Sequence, residues 1–417
     1  MSSFRSASVL SADQQTATSF QRLNALLHGV KPGQDPIVLT VGEPRHALPD
    51  FTGPVLMENL DDFRRYPAMQ GTEAFREAVA GWLGRRYNLA TGADGNPIDP
   101  ARHILPLNGS REGLFFAALS ARTFLGKTDP DPVILLPNPY YHTYSAGAEA
   151  AGARAVYMDA TADNGFLPDL DALDPAVLDR AIALYLASPA NPQGSVASLD
   201  YWTRLIGLSR KHRFFIFADE CYSEIYRDTP PPGVLEAAQI LTRPGDGIDL
   251  SGILTFNSLS KRSNMAGLRC GFAVGDPEFM ANWLTFRNRA APQVPMPVQA
   301  VAVAALSDET HVIENRRLYN AKFASAERHL GSLTGFTAPA GGFFVWLDVG
   351  RWGGGVRVTE KLWAEAGVKV VPGGYLAQDA DDGGNPGAAY IRIAMVESLD
   401  ITERAMQRIA AALRGWT

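Results

Sequence analysis

Lys261 stands in Ser258-Leu259-Ser260-Lys261, with Arg269 eight residues further on. A lysine amine can form an imine with an aldehyde and later move a proton at the neighbouring carbon. Upstream, Asp219-Glu220-Cys221-Tyr222 offers a carboxylate able to keep a ring nitrogen protonated, with a phenol one helical turn beyond it. Asn191, in Asn191-Pro192-Gln193-Gly194, is a further hydrogen-bonding group. Gly109-Ser110 presents backbone amides and a hydroxyl suited to a phosphate, for which Arg269 is a charge-assisted partner. Arg392, in Tyr390-Ile391-Arg392-Ile393, has the planar fork that meets a carboxylate with two hydrogen bonds. Taken singly, each has an ordinary explanation: a loop lysine is a solvated charge, Asp219 a helix N-cap, Arg392 a surface arginine. The set as a whole does not.

Such residues act together only if the chain brings them together. Between about 100 and 290, short apolar β-type runs at 103–107, 133–136, 155–158, 182–186, 214–218, 253–256 and 268–274 alternate with helical segments. This rhythm predicts an α/β fold with a mainly parallel sheet flanked by helices on both faces. Ligands of such sheets bind beyond the carboxyl ends of the strands. Asn108-Gly109-Ser110, Asn138-Pro139-Tyr140, Ser188-Pro189-Ala190, Asp219-Glu220-Cys221 and Ser258-Leu259-Ser260 all fall at such ends. Pro292, Pro295 and Pro297 then mark a boundary. Beyond it, a helical region from 298 to about 333, strands at 343–347 and 390–394 and a closing helix from about 401 read as a smaller α+β domain. The expected division is an N-terminal segment 1–50 packing with the small domain, a large domain 51–292 and a small domain 293–417. Residues 378–387 form a polar, acidic loop to which no chemistry is assigned.

Asn-Pro-Gln-Gly, Asp-Glu-Cys-Tyr and Ser-Leu-Ser-Lys followed by Arg269, in this order and in register with the strands, resemble the aspartate aminotransferase superfamily of fold-type I enzymes that use pyridoxal 5′-phosphate (PLP). The resemblance runs from Gly42-Glu43-Pro44 to Tyr390-Ile391-Arg392-Ile393. It implies that the large domain binds PLP, with Lys261 as the Schiff-base lysine and proton shuttle and Asp219 as the partner of the ring nitrogen. Asn191 and Tyr222 would hold the phenolic oxygen. Gly109, Ser110, Ser258 and Arg269 would bind the phosphate, with Ser260 as an addition. Tyr141 would stack on the cofactor ring, Tyr140 being the alternative. Arg392, helped by Asn191 and the backbone of Gly42, would bind the substrate carboxylate. Tyr66 would reach the phosphate of a neighbouring subunit, which implies a homodimer.

The run from Ser258 to Phe272 most resembles the succinyldiaminopimelate aminotransferase branch, and Tyr375-Leu376 after Pro372-Gly373-Gly374 agrees, although the branch usually carries Ser where Gly374 stands. The implied reaction moves an amino group between glutamate and N-succinyl-2-amino-6-oxopimelate, an amino acid and 2-oxo acid pair. Arg45 and His46, just after Gly42, are candidate contacts for the far end of such a substrate. A PLP lyase acting on sulfur amino acids and a non-catalytic relative are the alternatives; the intact Lys261, Asp219 and Arg269 set speaks against the second.

Bulk properties narrow the field. The chain has 417 residues, 46% hydrophobic and 20% charged, with a net charge of −6 spread without blocks. This leaves no basic footprint for nucleic acid or an anionic membrane surface. No apolar run is long enough to span a bilayer, and the polar start, residues 1–20, lacks the pattern of a secretion signal. Two cysteines, Cys221 and Cys270, build no disulfide framework. A cytoplasmic enzyme is expected. The seven histidines show no metal-ligand spacing. No Gly-x-Ser-x-Gly elbow appears, and no complete Gly-x-Gly-x-x-Gly follows a strand.

Overall fold

The computed structural model describes residues 18–89, 97–243, 246–380 and 382–416. The polar stretch 1–17 and Asp381 of the acidic loop lie outside them. Seven strands form the central sheet: β1 Ile104–Leu107, β2 Val133–Asn138, β3 Arg154–Asp159, β4 Ala181–Ala187, β5 Phe215–Asp219, β6 Ile253–Ser258 and β7 Gly271–Gly275. Their order is β1-β7-β6-β5-β4-β2-β3, parallel throughout except that β7 runs against both neighbours.

The continuous apolar runs have a direct cause. Successive side chains of a strand point to opposite faces, and here both faces are covered. Ile216 and Ala218 join one buried cluster while Phe215 and Phe217 join another across the sheet. Each fully buried Phe, Ile or Leu contributes about 1.5–3 kcal/mol relative to exposure. Only the edge strand β3 shows exposed positions.

A second, antiparallel sheet joins Val371–Pro372, Tyr390–Ala394 and Phe344–Asp348. The helices Thr310–Thr334 and Leu399–Gly415 supply buried residues to its core. The N-terminal part is tied into this layer: Ile37–Val38 pairs with Val368–Lys369, and Ala394 N donates to Leu39 O at 2.9 Å.

The helical region 298–333 is two helices, Met296–Ser307 and Thr310–Thr334, because the Asp308 carboxylate accepts from the amides of Thr310 and His311 and so caps a new helix start. Moreover, Met296–Ser307 packs on Thr52–Glu58 and Glu73–Arg86. Its Val301, Ala302, Ala305 and Leu306 share a buried cluster with Phe75 and Val79. Pro292 and Pro295 precede this helix and Pro297 lies in its first turn.

Candidate active site

Six strands point one way, so their following loops meet at one edge of the sheet. Asp219 ends β5 and Ser258 ends β6, and Ser110 opens the helix Ser110–Leu125 shortly after β1. Lys261 sits in the short helix Leu259–Arg262. Because β7 is antiparallel, its first residue, Gly271, pairs with both Leu107 and Ser258. Arg269, just upstream, therefore lies between the Gly109 and Ser258 loops.

A cavity of about 380 Å³ opens at this edge. Of the site residues named from the sequence, Gly42, Ser110, Tyr141, Asn191, Asp219, Tyr222, Ser258, Ser260, Lys261, Arg269 and Arg392 line it. Gly109 lies beneath the Arg269 guanidinium instead. Tyr66 does not reach this cavity within its own chain and is 93% exposed.

Asp219 is a buried carboxylate without an ion-pair partner among the described residues. Its Oδ2 accepts from Tyr144 Oη at 2.7 Å and its Oδ1 from Cys221 N at 3.3 Å. Tyr144 stacks on Tyr185, with ring centroids 4.4 Å apart, and Tyr185 Oη is anchored on Leu114 O at 2.7 Å. Burial and then the adjacent Asp219 raise the Tyr144 hydroxyl well above its ordinary value, which keeps it a donor. The same two causes raise the Tyr222 hydroxyl.

Lys261 Nζ donates to Gly42 O at 2.9 Å. Burial lowers its ammonium below the ordinary lysine value, opposed by Cys221 and Asp219. A less stable ammonium yields more free amine at neutral pH, the form that attacks an aldehyde.

Arg392 is also buried, with no carboxylate partner among the described residues. Nη2 donates to Thr40 O at 2.9 Å, Nη1 to Asn191 Oδ1 at 3.3 Å, and the buried Nε has no partner. Burial lowers the guanidinium to about 10. An incoming carboxylate would supply the acceptors this fork lacks.

The region around Gly109 has the form of an anion cradle. Gly109 has φ +79° and ψ 156°, a region open essentially only to glycine. A Cβ there would stand 2.3 Å from Arg269 Nη2. Arg269, itself at φ +55°, donates to Ala266 O and Asn108 O. Ser258 Oγ accepts from Ser260 N and lies 3.0 Å from Ser260 Oγ. Backbone amides at a helix start, hydroxyls and a guanidinium form the donor set of a phosphate site. With the unpaired Asp219 one strand away, the residues present fit a phosphorylated pyridine aldehyde. Among the described residues no cluster could hold a metal ion, and no helix is long and apolar enough to cross a membrane.

Several lining residues were not foreseen. Tyr144 lies one helical turn after Tyr141, a spacing that could have placed it beside the site, but its bond to Asp219 depends on strands distant in sequence. Arg111 donates through Nε to Tyr141 Oη at 2.6 Å and lines the cavity, as does His142. Tyr140 lines it too and packs against Tyr157 at 5.1 Å. In contrast, Arg45 and His46 are not among the residues that line the cavity: Arg45 is ion-paired with Glu397, and His46 lies against Asn315 and Lys322.

Known proteins carry the same design. A family model, aminotransferase class I and II, matches residues 34–409. The LL-diaminopimelate aminotransferase of Dehalococcoides mccartyi strain 195 is 32% identical over 386 residues, covering 91% of each chain. The Moorella thermoacetica enzyme of that name is 32% identical, covering 91% of this chain and 92% of its own. Among solved structures, an aminotransferase from Neisseria meningitidis aligns with a TM-score of 0.86 and 37% identity, covering 95% of this chain and 97% of that one. A "probable N-succinyldiaminopimelate aminotransferase" from Thermus thermophilus aligns with a TM-score of 0.80 and 26% identity, covering 95% and 100%. On this match of family model, sequence and fold, the chain belongs to the class I and II aminotransferases, whose members use pyridoxal 5′-phosphate.

Proposed function

We propose that this enzyme exchanges an amino group between glutamate and a long dicarboxylic 2-oxo acid of the diaminopimelate class. The observation that carries the reading is Arg392: a buried guanidinium without a carboxylate partner, on the wall shared by Lys261 and Asp219. The branch resemblance of residues 258–272 favoured the N-succinyl form of the substrate. The similarity to LL-diaminopimelate aminotransferases supports the free amino acid. Arg111 and His142, in place of Arg45 and His46, are our candidates for contact with the far end.

In this reading PLP supplies an aldehyde and an electron-accepting ring. Lys261 would hold the aldehyde end of the cofactor, and its amine would carry the proton at the substrate α-carbon. Asp219, held by Tyr144, would pair with the ring nitrogen and favour its protonated form. Asn191 and Tyr222 would hold the phenolic oxygen, and Tyr141 would lie against the ring. Gly109, Ser110, Ser258, Ser260 and Arg269 would hold the phosphate. Arg392 orients the substrate carboxylate beside Asn191 and Gly42, turning the encounter into a reaction within one site. Exposed Tyr66 shares the stretch 52–66 with exposed Met57, Leu60 and Phe63, which supports a homodimer in which Tyr66 reaches the neighbour's phosphate site. Sedimentation at micromolar concentration tests that part.

The decisive experiment is a half-reaction screen of the PLP-loaded enzyme. Glutamate, LL-diaminopimelate and N-succinyl-LL-diaminopimelate are each followed through the cofactor's visible absorption. The reading expects conversion to the amine form of the cofactor, reversed by a 2-oxo acid. Release of pyruvate and ammonia from cysteine, without a 2-oxo-acid requirement, would replace it with a lyase. Lys261→Ala is expected to fold yet lose the lysine-dependent absorption band.

A further inference from the structure

Behind Lys261, on the side away from the cavity, a line of polar side chains connects three separate segments. The helix Thr310–Thr334 supplies Asn315 and, two turns later, Lys322; the loop after Gly42 supplies His46 between them. Asn315 Nδ2 donates to the carbonyls of Lys261 at 3.2 Å and Arg262 at 3.4 Å. Its Oδ1 lies 2.6 Å from His46 Nδ1, and His46 Nε2 lies 2.6 Å from Lys322 Nζ. Lys322 Nζ also donates to Met395 O at 3.1 Å, just past the strand that carries Arg392.

Elementary donor and acceptor rules settle the direction of every proton in this line. Backbone carbonyls only accept, so the amide nitrogen of Asn315 must face Lys261 and Arg262. Its oxygen then faces His46, which must donate from Nδ1. In a neutral imidazole Nε2 is consequently the acceptor, and it takes a proton from Lys322. With Lys322 as an ammonium, which has three donors and no acceptor, protonation of His46 would set N–H against N–H and one positive charge against another. With Lys322 charged, the line is thus complete only while His46 is neutral.

We propose that Lys322, His46 and Asn315 form a proton-ordered relay that positions the Lys261 turn, and that protonation of His46 releases it. The lysine is buried, 1% exposed, and has no carboxylate partner among the described residues. That is a costly arrangement unless its contacts are used. Burial lowers its ammonium to about 8, and burial also lowers His46 below the ordinary imidazole value. The other groups facing His46 are Glu314, on the same helix as Lys322, and the ring of Tyr319, 4.6 Å away. Arg45, next to it in the loop, is neutralised by Glu397. Asn315 and Lys322 touch neither the cavity nor substrate, so they are positioning residues.

The inference rests on Lys261 being the acting lysine, which Lys261→Ala tests separately: a visible band that survives that change defeats the proposed function, whereas the pH titrations below bear on the relay once that band is lost. The relay is tested without substrate, by titrating the visible absorption of the PLP-loaded enzyme between pH 5 and 8 beside the NMR titration of the His46 imidazole. The expected result is an acid-side change in the absorption whose midpoint coincides with the His46 titration. In Lys322→Met the like charge facing Nε2 is gone, so both midpoints should rise together by about one pH unit. In His46→Gln the change should disappear. An acid-side midpoint unmoved in Lys322→Met, or one more than a unit from the His46 titration in the unaltered enzyme, overturns the proposal. The second comparison needs no variant and stands even if His46→Gln does not fold.

Discussion

Asp219→Asn separates what the carboxylate costs from what it does. In the chain without cofactor, Asp219 is buried, 7% exposed, and makes no salt bridge among the described residues. Removing an ion from water costs several kcal/mol. The bonds from Tyr144 Oη and Cys221 N return about 1.5–3 kcal/mol each, because the acceptor is charged. The two sides nearly cancel. Asparagine has the same shape and carries no charge to desolvate; its one oxygen still accepts from Tyr144, while its amide nitrogen gives up the longer bond from Cys221 N. The cofactor-free variant should therefore be as stable as the original, or more stable by about 1 kcal/mol. Activity should behave oppositely. Losing the anion beside the ring nitrogen would drop that nitrogen's pKa by about 2 units; at 1.36 kcal/mol per unit, this is about 2.7 kcal/mol and roughly a hundredfold in rate. Calorimetry on the cofactor-free protein and stopped-flow absorption of the half-reaction measure the two effects. A half-reaction within fivefold of the original would refute the pairing of Asp219 with the ring. A large loss of cofactor-free stability would show that Asp219 is mainly structural.

Two further outcomes test the phosphate cradle and the far end of the sheet. Gly109→Ala should weaken PLP binding about 10–100-fold in a titration of the cofactor-free protein, since losing one charge-assisted phosphate bond costs about 1.5–3 kcal/mol. The added Cβ both strains the backbone and displaces Arg269 Nη2; unchanged affinity would mean that Arg269 does not hold the phosphate. At the opposite end of the sheet, Lys127 Nζ donates to the carbonyls of Asp179, Ala181 and His212 at 2.7–2.9 Å, clamping the start of β4. Lys127→Met should lower unfolding stability by about 2 kcal/mol while leaving the half-reaction rate unchanged, because water can reach only part of that half-buried position.

The chemistry-bearing residues were legible because such sheets place their functional groups at strand ends, and strand ends are marked by the change from apolar runs to polar tripeptides. Asp219, Ser258 and Lys261 follow from that alone. Arg269 does not, since a residue preceding a parallel strand would fall at the opposite edge. It reaches the site because β7 is antiparallel, a fact of pairing that the run 268–274 does not carry. Tyr144 supports Asp219 through contacts between residues 75 positions apart. Arg45 and His46 had the right position in sequence but found partners in Glu397, Asn315 and Lys322, all more than 250 residues away.

The sequence by itself determined the α/β architecture, the PLP-type residue set and the strand end on which each member sits, because alternation of side chains along a strand and polar punctuation at its end are local properties. Only the tertiary structure decided which charges are left unpaired. Asp219 and Arg392 are buried without a salt bridge among the described residues while Arg45 is paired with Glu397, because burial and ion pairing depend on which distant segments fold against them.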